Sequence, residues 1–141
     1  MNKSTLHRRN FLLHLQERAG YEQTVLLKEA ARKQPTQSNL DQLHNEFAIT
    51  TQLVNVSGVR PIYAIEGTES LPVLLLEYIQ GHSLTELIRS SWLDIAEKLR
   101  LAMNVAIVMN RIHEKQVMYK DISSGNIMVA DNGKSDSQDG V

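Results

Sequence analysis

Several residue types are scarce in this 141-residue chain, and each scarcity excludes a class of protein. There is no cysteine, which excludes disulfides, thiolate metal sites and a cysteine nucleophile within the chain. Lys and Arg number 15 against 16 Asp and Glu, so a basic nucleic-acid-binding module is not expected. No apolar run reaches the ~18 residues that a membrane-spanning helix needs. We therefore expect a cytoplasmic protein that binds neither nucleic acid nor membrane.

The overall amino-acid composition is that of a globular domain. Hydrophobic residues make up 42% of the chain and charged residues 22%, which argues against disorder. The length corresponds to about one domain of ordinary size. We find no internal repeat, and the only compositional break is the polar segment 131–141, which we expect to be a loop or tail.

Short apolar segments in the first half of the chain predict an antiparallel sheet with one helix. A hairpin is expected from Phe11 to Lys28, with a turn near Gly20. A helix capped by Ser38 or Asn39 should run to about residue 54. Two further strands are expected at 62–65 and 73–78, joined by a turn over 66–69. This order indicates an α+β fold.

The second half of the chain is more helical. Ser83 is expected to cap a short helix over 84–89, and a long helix should run from Asp94 to about Glu114. The long helix carries two apolar stripes: Ile95, Leu99, Ala102, Ala106 and Met109, and Leu101, Val105, Val108 and Ile112. Because an apolar surface this wide implies burial on two sides, we expect one stripe to lie exposed unless another copy or a partner covers it.

The segment most informative about function follows the long helix and reads V-M-Y-K-D-I-S-S-G-N-I-M-V over 117–129. Asp121 and Asn126 lie five positions apart in a polar loop, ahead of a short apolar strand. A phosphoryl-transfer site needs a carboxylate that orients the attacking hydroxyl and an oxygen ligand for the metal that bridges the phosphates. Asp121 and Asn126 suit these two roles.

At this point the sequence resembles the eukaryotic-type (Hanks-type) protein kinases, whose catalytic loop reads H-R-D-L-x-x-x-N. Here the loop reads Y-K-D-I-S-S-G-N. The segment V-L-L-K ending at Lys28 resembles the V-A-I-K strand of the family. The resemblance implies that Lys28 contacts the α- and β-phosphates of ATP, that Glu46 on the following helix pairs with Lys28, and that Asn126 holds Mg²⁺. It implies catalytic roles for Asp121, Lys28 and Glu46.

The resemblance also implies a binding site for the adenine ring. The segment L-L-L-E-Y-I-Q-G over 74–81 looks like the fifth strand of a kinase running into the hinge. Leu76 would then be the gatekeeper, and Glu77 and Ile79 would offer backbone groups to adenine. Leu26, which alternation places on the same face as Lys28, would contact one side of the base, and Met128 the other.

The implied architecture is a partial protein kinase domain. Residues 10–79 would form the small antiparallel-sheet lobe with one helix and the hinge. Residues 80–130 would begin the helical lobe and carry the catalytic loop, and 131–141 would be a polar tail. The sequence near the loop and the first helix is most similar to that of kinase domains at the N-termini of large bacterial multidomain signalling proteins.

Four departures from the family pattern bear on activity. The first glycine is Gly20, so no glycine-rich loop precedes Lys28, and the first strand and phosphate cover are expected to be missing. No D-F-G tripeptide follows the catalytic loop, and we interpret Asp139-Gly140 as unrelated to it. No activation loop or A-P-E segment is present. Tyr119 stands where the family has His, and Ser123 where Ser/Thr kinases place a Lys.

Four interpretations therefore remain open. The first is a Ser/Thr protein kinase module that uses ATP and Mg²⁺ on an unidentified protein substrate, with the chain incomplete. The second is an inactive pseudokinase that binds nucleotide or a partner. The third is a small-molecule phosphotransferase, a group that shares D-x4-N but prefers H-G-D, so Lys120 favours the protein kinases. The fourth is a truncated gene product without function.

Overall fold

The computed structural model describes residues 5–8, 10–118, 123–131 and 139–140. They belong to two compact units. The first comprises Met1–Thr51 with Pro61–Tyr78, and the second comprises Gln52–Arg60 with Ile79–Val141. No helix in the described ranges is both long and apolar enough to cross a membrane.

The first unit is built on a five-stranded antiparallel sheet with the order β1-β2-β3-β5-β4. Its strands are β1 (Thr5–Arg8), β2 (Phe11–Gln16), β3 (Val25–Ala30), β4 (Ile62–Thr68) and β5 (Leu71–Glu77). The predicted hairpin is confirmed, since β2 pairs with β3 from Phe11↔Ala30 to Gln16↔Val25. The expectation that the first strand is missing is wrong, because β1 pairs with β2 from Thr5↔His14 to Arg8↔Phe11.

Alternation along the central strands β3 and β5 gives the sheet two apolar faces. One face carries a buried cluster of Phe11, Leu74 and Leu76 from the sheet with Leu43 from the following helix. The opposite face buries Val25, Leu27 and Leu75. Leu74 and Leu75 are both fully buried, so β5 is covered on both faces. Each such leucine stabilises the fold by about 1.5–3 kcal/mol.

Helix α1 (Gln37–Gln52) packs Leu43 and Phe47 against the first of these faces. Its predicted cap is wrong by a few residues, because Thr36 caps the helix. The Thr36 hydroxyl accepts from the Asn39 backbone N–H at 3.2 Å, and the Asn39 side-chain oxygen accepts from the Thr36 N–H at 3.3 Å. This reciprocal arrangement is a capping box with Asn in place of Glu.

The turn between β4 and β5 also lies later than predicted. Strand β4 extends into the predicted turn and β5 begins two residues earlier than predicted, so only Glu69 and Ser70 separate the strands. Gly67 makes this possible with a φ of +85° near the end of β4. A Cβ at this position would lie 2.2 Å from the Leu71 carbonyl oxygen, so only glycine fits here.

The second unit combines helices with a small sheet. Its elements are β6 (Gly81–Ser83), α2 (Leu84–Arg89), α3 (Ile95–Glu114), a 3₁₀ turn (Ser124–Asn126), β7 (Met128–Ala130) and β8 (Asp139–Gly140). The strands pair antiparallel in the order β6-β7-β8. Ser83 caps α2 as predicted, and Asp94 caps α3 in a capping box with Glu97. The α+β class is confirmed.

Helix α3 is buried on one side only. Val108 and Ile112 are buried, whereas a second set of apolar side chains is exposed. That exposed set is Ile95, Leu99, Met103 and Ile107, with Ala102 and Ala106 between them. We call it the exposed α3 face. The predicted exposure of one apolar stripe is confirmed for Ile95, Leu99, Ala102 and Ala106, whereas Met109 of that stripe is half-buried. The exposed Met103 and Ile107 belong to neither predicted stripe. The expected association through this face stays a prediction.

Candidate functional site

Lys28 lies in the middle of the first sheet. Its strand β3 is flanked by β2 and β5, and its direct neighbours across the two ladders are Leu13 and Leu74. Residues that face each other across a ladder point to the same side of the sheet. The charged end of Lys28 therefore rises from an apolar surface, on the face that packs against α1.

The ammonium group of Lys28 is paired with Glu46 of α1. Lys28 Nζ donates to Glu46 Oε2 at 2.5 Å. The two side chains are only 18% and 21% exposed, so water screens this pair less than a surface ion pair. Glu46 lies one helical turn after the buried Leu43, which puts it on the packed side of α1. Sequence reasoning named this pair, and the structure places its two members in contact.

Two of the residues assigned to adenine lie next to Lys28 on the same sheet. Leu26 is directly opposite Leu76 across the β3–β5 ladder, and both belong to the cluster that packs against α1. They form an apolar surface beside the Lys28–Glu46 pair. This arrangement suits an uncharged ring next to a phosphate chain.

Glu77 ends strand β5, and its backbone is partly engaged. Its N–H donates to the Pro61 carbonyl at 3.1 Å. Of the backbone groups that the resemblance assigns to adenine recognition, the Glu77 N–H is thus used within the fold. Ile79 belongs to the second unit and is half-buried.

Glu77 also influences a neighbouring tyrosine. The pKa of Tyr63 on β4 is raised above its ordinary value, first by burial, then by the negative charge of Glu77 and by Tyr21. The Tyr21 and Tyr63 rings lie 5.1 Å apart. This corner of the first sheet therefore favours a neutral phenol next to a carboxylate.

The catalytic-loop residues belong to the second unit. Asp121, Tyr119 and Lys120 lie outside the described residues, so their predicted roles stay predictions. Asn126 is exposed at the end of the 3₁₀ turn, and its backbone N–H donates to the Ser123 carbonyl at 2.9 Å. The side chain that was assigned to the metal thus lies on a hydrogen-bonded turn.

Two hydrogen bonds fix this turn to α2. Thr85 Oγ1 and Ser124 Oγ lie 2.7 Å apart, and the Leu84 N–H donates to the Ile127 carbonyl at 2.8 Å. Ile127 is buried, so the chain on the far side of Asn126 is anchored as well. Rigid support of this kind is what a metal ligand needs.

Strand β7 carries Met128, the other residue that the resemblance assigns to adenine. Met128 is half-buried and pairs with Ser83 on one side and Gly140 on the other. On the adjacent strand β8, Asp139 pairs with Val129. Sequence reasoning set Asp139 aside because 134–138 is polar and no Phe follows it. This backbone pairing places Asp139-Gly140 in a strand next to Met128, where the sequence predicted a loop or tail.

Comparison with known proteins identifies the family. A family model described as protein kinase domain matches residues 15–136, which is most of the chain. The chain belongs to the protein kinase family. The matched range of this kinase domain includes Lys28, Glu46, Asp121 and Asn126, whereas β1, Phe11 and Asp139 lie outside it.

Curated relatives are kinases as well. Mitogen-activated protein kinase kinase kinase 2 of Arabidopsis thaliana is 25% identical over 118 residues, which cover 83% of this chain and 18% of the relative. A probable serine/threonine-protein kinase of Dictyostelium discoideum is 32% identical over 85 residues, 59% of this chain and 9% of the relative. Another from that organism, kinX, is 24% identical over 102 residues, 71% and 9% respectively.

This kinase domain chain therefore spans less than a fifth of the length of these relatives. The narrower resemblance to bacterial multidomain signalling proteins stays a prediction.

Proposed function

We propose that this kinase domain binds ATP and takes part in the transfer of its γ-phosphoryl group to a Ser or Thr hydroxyl of a protein. The observation that carries the proposal is the ion pair between Lys28 and Glu46 at 2.5 Å. A lysine that is fixed by a carboxylate on an apolar sheet face presents a localised positive charge, as binding of the α- and β-phosphates requires.

The residues assigned to the nucleotide have the chemistry that ATP needs. In this proposal Leu26, Leu76 and Met128 provide apolar surface for the adenine ring, and the Glu77 carbonyl and the Ile79 backbone provide polar contacts to its edge. The observed neighbours Leu26 and Leu76 fit a flat, uncharged ring, and the adjacent Lys28 fits an anionic tail.

Asn126 and Asp121 would act at the transferred phosphate. Bound Mg²⁺ would neutralise charge on the phosphates, and the Asn126 side-chain oxygen would hold it.

Asp121 would accept the proton of the attacking hydroxyl. The new bond forms between that oxygen and the γ-phosphorus, while the bond from this phosphorus to the β–γ bridging oxygen breaks and ADP leaves.

A second candidate function is a pseudokinase that binds nucleotide or a partner without transfer. One observation favours it. Because Arg8 pairs with Phe11, only residues 9 and 10 connect β1 to β2, and neither is glycine. A kinase covers the phosphates with a glycine-rich loop whose backbone N–H groups face them, and this connection is too short for such a loop.

Transfer of radiolabelled γ-phosphate to a mixed library of Ser- and Thr-containing peptides separates the two candidates. The kinase proposal predicts labelling that needs Mg²⁺ and is lost in Asp121→Asn. Libraries in which every Ser or every Thr is replaced by Ala show which of the two hydroxyls accepts the phosphoryl group. ATP binding without any labelling of peptide would support the pseudokinase instead.

A further inference from the structure

The face of one aromatic ring covers the lysine of the proposed nucleotide site. Lys28 Nζ lies 5.0 Å from the centroid of the Phe11 ring. Phe11 begins β2, where it pairs with Ala30, and it therefore lies diagonally across the ladder from Lys28. A cation within about 6 Å of a ring centroid is attracted by the ring quadrupole, more strongly where water is excluded.

The Phe11 ring is held firmly enough to position its neighbour. Its exposed fraction is 6%, and it packs in the buried cluster with Leu43, Leu74 and Leu76. A ring enclosed in this way has few alternative rotamers. The ammonium of Lys28 thus lies against two fixed groups, the Phe11 ring and the Glu46 carboxylate at 2.5 Å.

This geometry restricts how an anion can reach Lys28. An ammonium has three N–H donors, and one of them is directed at Glu46. The π-face of a ring is electron-rich and repels an anion, so a phosphate oxygen has to approach from the side that the ring does not cover. From this arrangement we infer that Phe11 is a positioning residue for Lys28, which fixes the direction in which Lys28 meets the phosphates of ATP. The inference rests on the proposed function of Lys28.

Phe47 provides a matched control for core packing. It packs against the same buried cluster and lies on α1 next to Glu46, whereas the ring over Lys28 is that of Phe11. Replacement of either Phe by Leu removes a ring from one cluster. Only Phe11→Leu removes the ring over the ammonium, and Phe11→Tyr retains an aromatic face.

The test combines a spectroscopic measurement on the free protein with ATP affinity. In the wild type, NMR of protein labelled with ¹³C at lysine Cε should show the Lys28 ε-methylene protons shifted upfield by the ring current of Phe11. We expect that shift to be lost in Phe11→Leu and kept in Phe11→Tyr and Phe47→Leu. The Kd for ATP with Mg²⁺ should rise about three- to tenfold in Phe11→Leu, in the range of a cation–π contact, and less than twofold in the other two.

The outcomes are distinguishable from those of the proposed function. Equal loss of ATP affinity in Phe11→Leu and Phe47→Leu would show that Phe11 only packs the core and would overturn the inference. So would an absent ring-current shift in the wild type. If Lys28→Met leaves ATP affinity unchanged, the proposed role of Lys28 in ATP binding is wrong. The ring-current comparison, which needs no nucleotide, would still decide whether Phe11 positions the Lys28 side chain.

Discussion

Lys28 of strand β3 and Glu46 of helix α1 are joined by a 2.5 Å hydrogen bond between Nζ and Oε2. The pair connects α1 to the centre of the first sheet, and both side chains are largely buried. Loss of one member leaves the other charged and poorly solvated. The contribution of this pair to the free energy of unfolding can be measured without any ligand.

Glu46→Gln is expected to lower the free energy of unfolding by about 1–3 kcal/mol, because a largely buried charge loses its charged partner. Urea unfolding measures this loss. The matched control is Asp41→Asn, an exposed carboxylate on the same helix that accepts from Gln37, with an expected loss under about 0.5 kcal/mol. The double variant Lys28→Met/Glu46→Gln should be less destabilised than the sum of its single variants. Additive losses would show that the pair contributes no coupling.

The cap of α1 gives a second prediction, because this helix carries Glu46. Thr36→Ala should lower the free energy of unfolding by about 0.5–2 kcal/mol, since the Asn39 N–H loses its partner at the helix start. Ser38→Ala, at one of the two positions that the sequence predicted for the cap, should cost less than half as much. Thermal and urea unfolding of both variants measure the difference. A larger loss for Ser38→Ala would contradict the assignment of Thr36.

The raised pKa of Tyr63 predicts that the stability of the fold depends on pH in the alkaline range. Because its pKa is raised in the folded protein above the ordinary 10.0, the unfolded state releases this proton first as the pH rises. Stability is therefore fully present below about pH 10 and is lost as the pH rises through the folded-state pKa. Tyr63→Phe should flatten this part of the stability curve, and Glu77→Gln should lower the pKa of Tyr63 in an absorbance titration at 295 nm. An unchanged titration in Glu77→Gln would remove Glu77 as a cause.

The exposed α3 face predicts association. Ile95, Leu99 and Met103 are each more than 60% exposed, and apolar side chains grouped in this way tend to be covered. We expect the sedimentation coefficient of the purified chain to rise with concentration. Leu99→Gln/Met103→Gln should reduce this rise, and Lys98→Ala on the same helix should not. A stable, compact monomer at all concentrations would contradict the prediction.

The elements that could be predicted from the sequence are those with strong local signals. The long helix α3 has its apolar period and its Asp94–Glu97 capping box, and β2, β3 and β5 are short apolar runs. The pairing of Lys28 with Glu46 followed from a resemblance and not from local physics. A lysine at a strand position and a glutamate on a helix are each more often exposed.

The features that sequence reasoning missed depend on pairing between segments. Strand β1 contains one apolar residue, Leu6, and is defined by its ladder with β2. The extra length of β4 depends on the positive φ of Gly67. The contact of Phe11 with Lys28 follows from the β2–β3 register, which sets which residues lie diagonally across a ladder. The segment 131–141 was expected to be a loop or tail, and strand β8 within it is defined by the pairing of Asp139 with Val129.

The measurement that tests the central claim most directly is ATP binding by thermal shift, with and without Mg²⁺, on the wild-type chain and on Lys28→Met. A ligand that binds only the folded state raises the unfolding temperature. The account predicts a Mg²⁺-dependent rise with ATP in the wild type and its loss in Lys28→Met, with both proteins shown to be folded by circular dichroism. No rise in the folded wild type, or an equal rise in Lys28→Met, would contradict it.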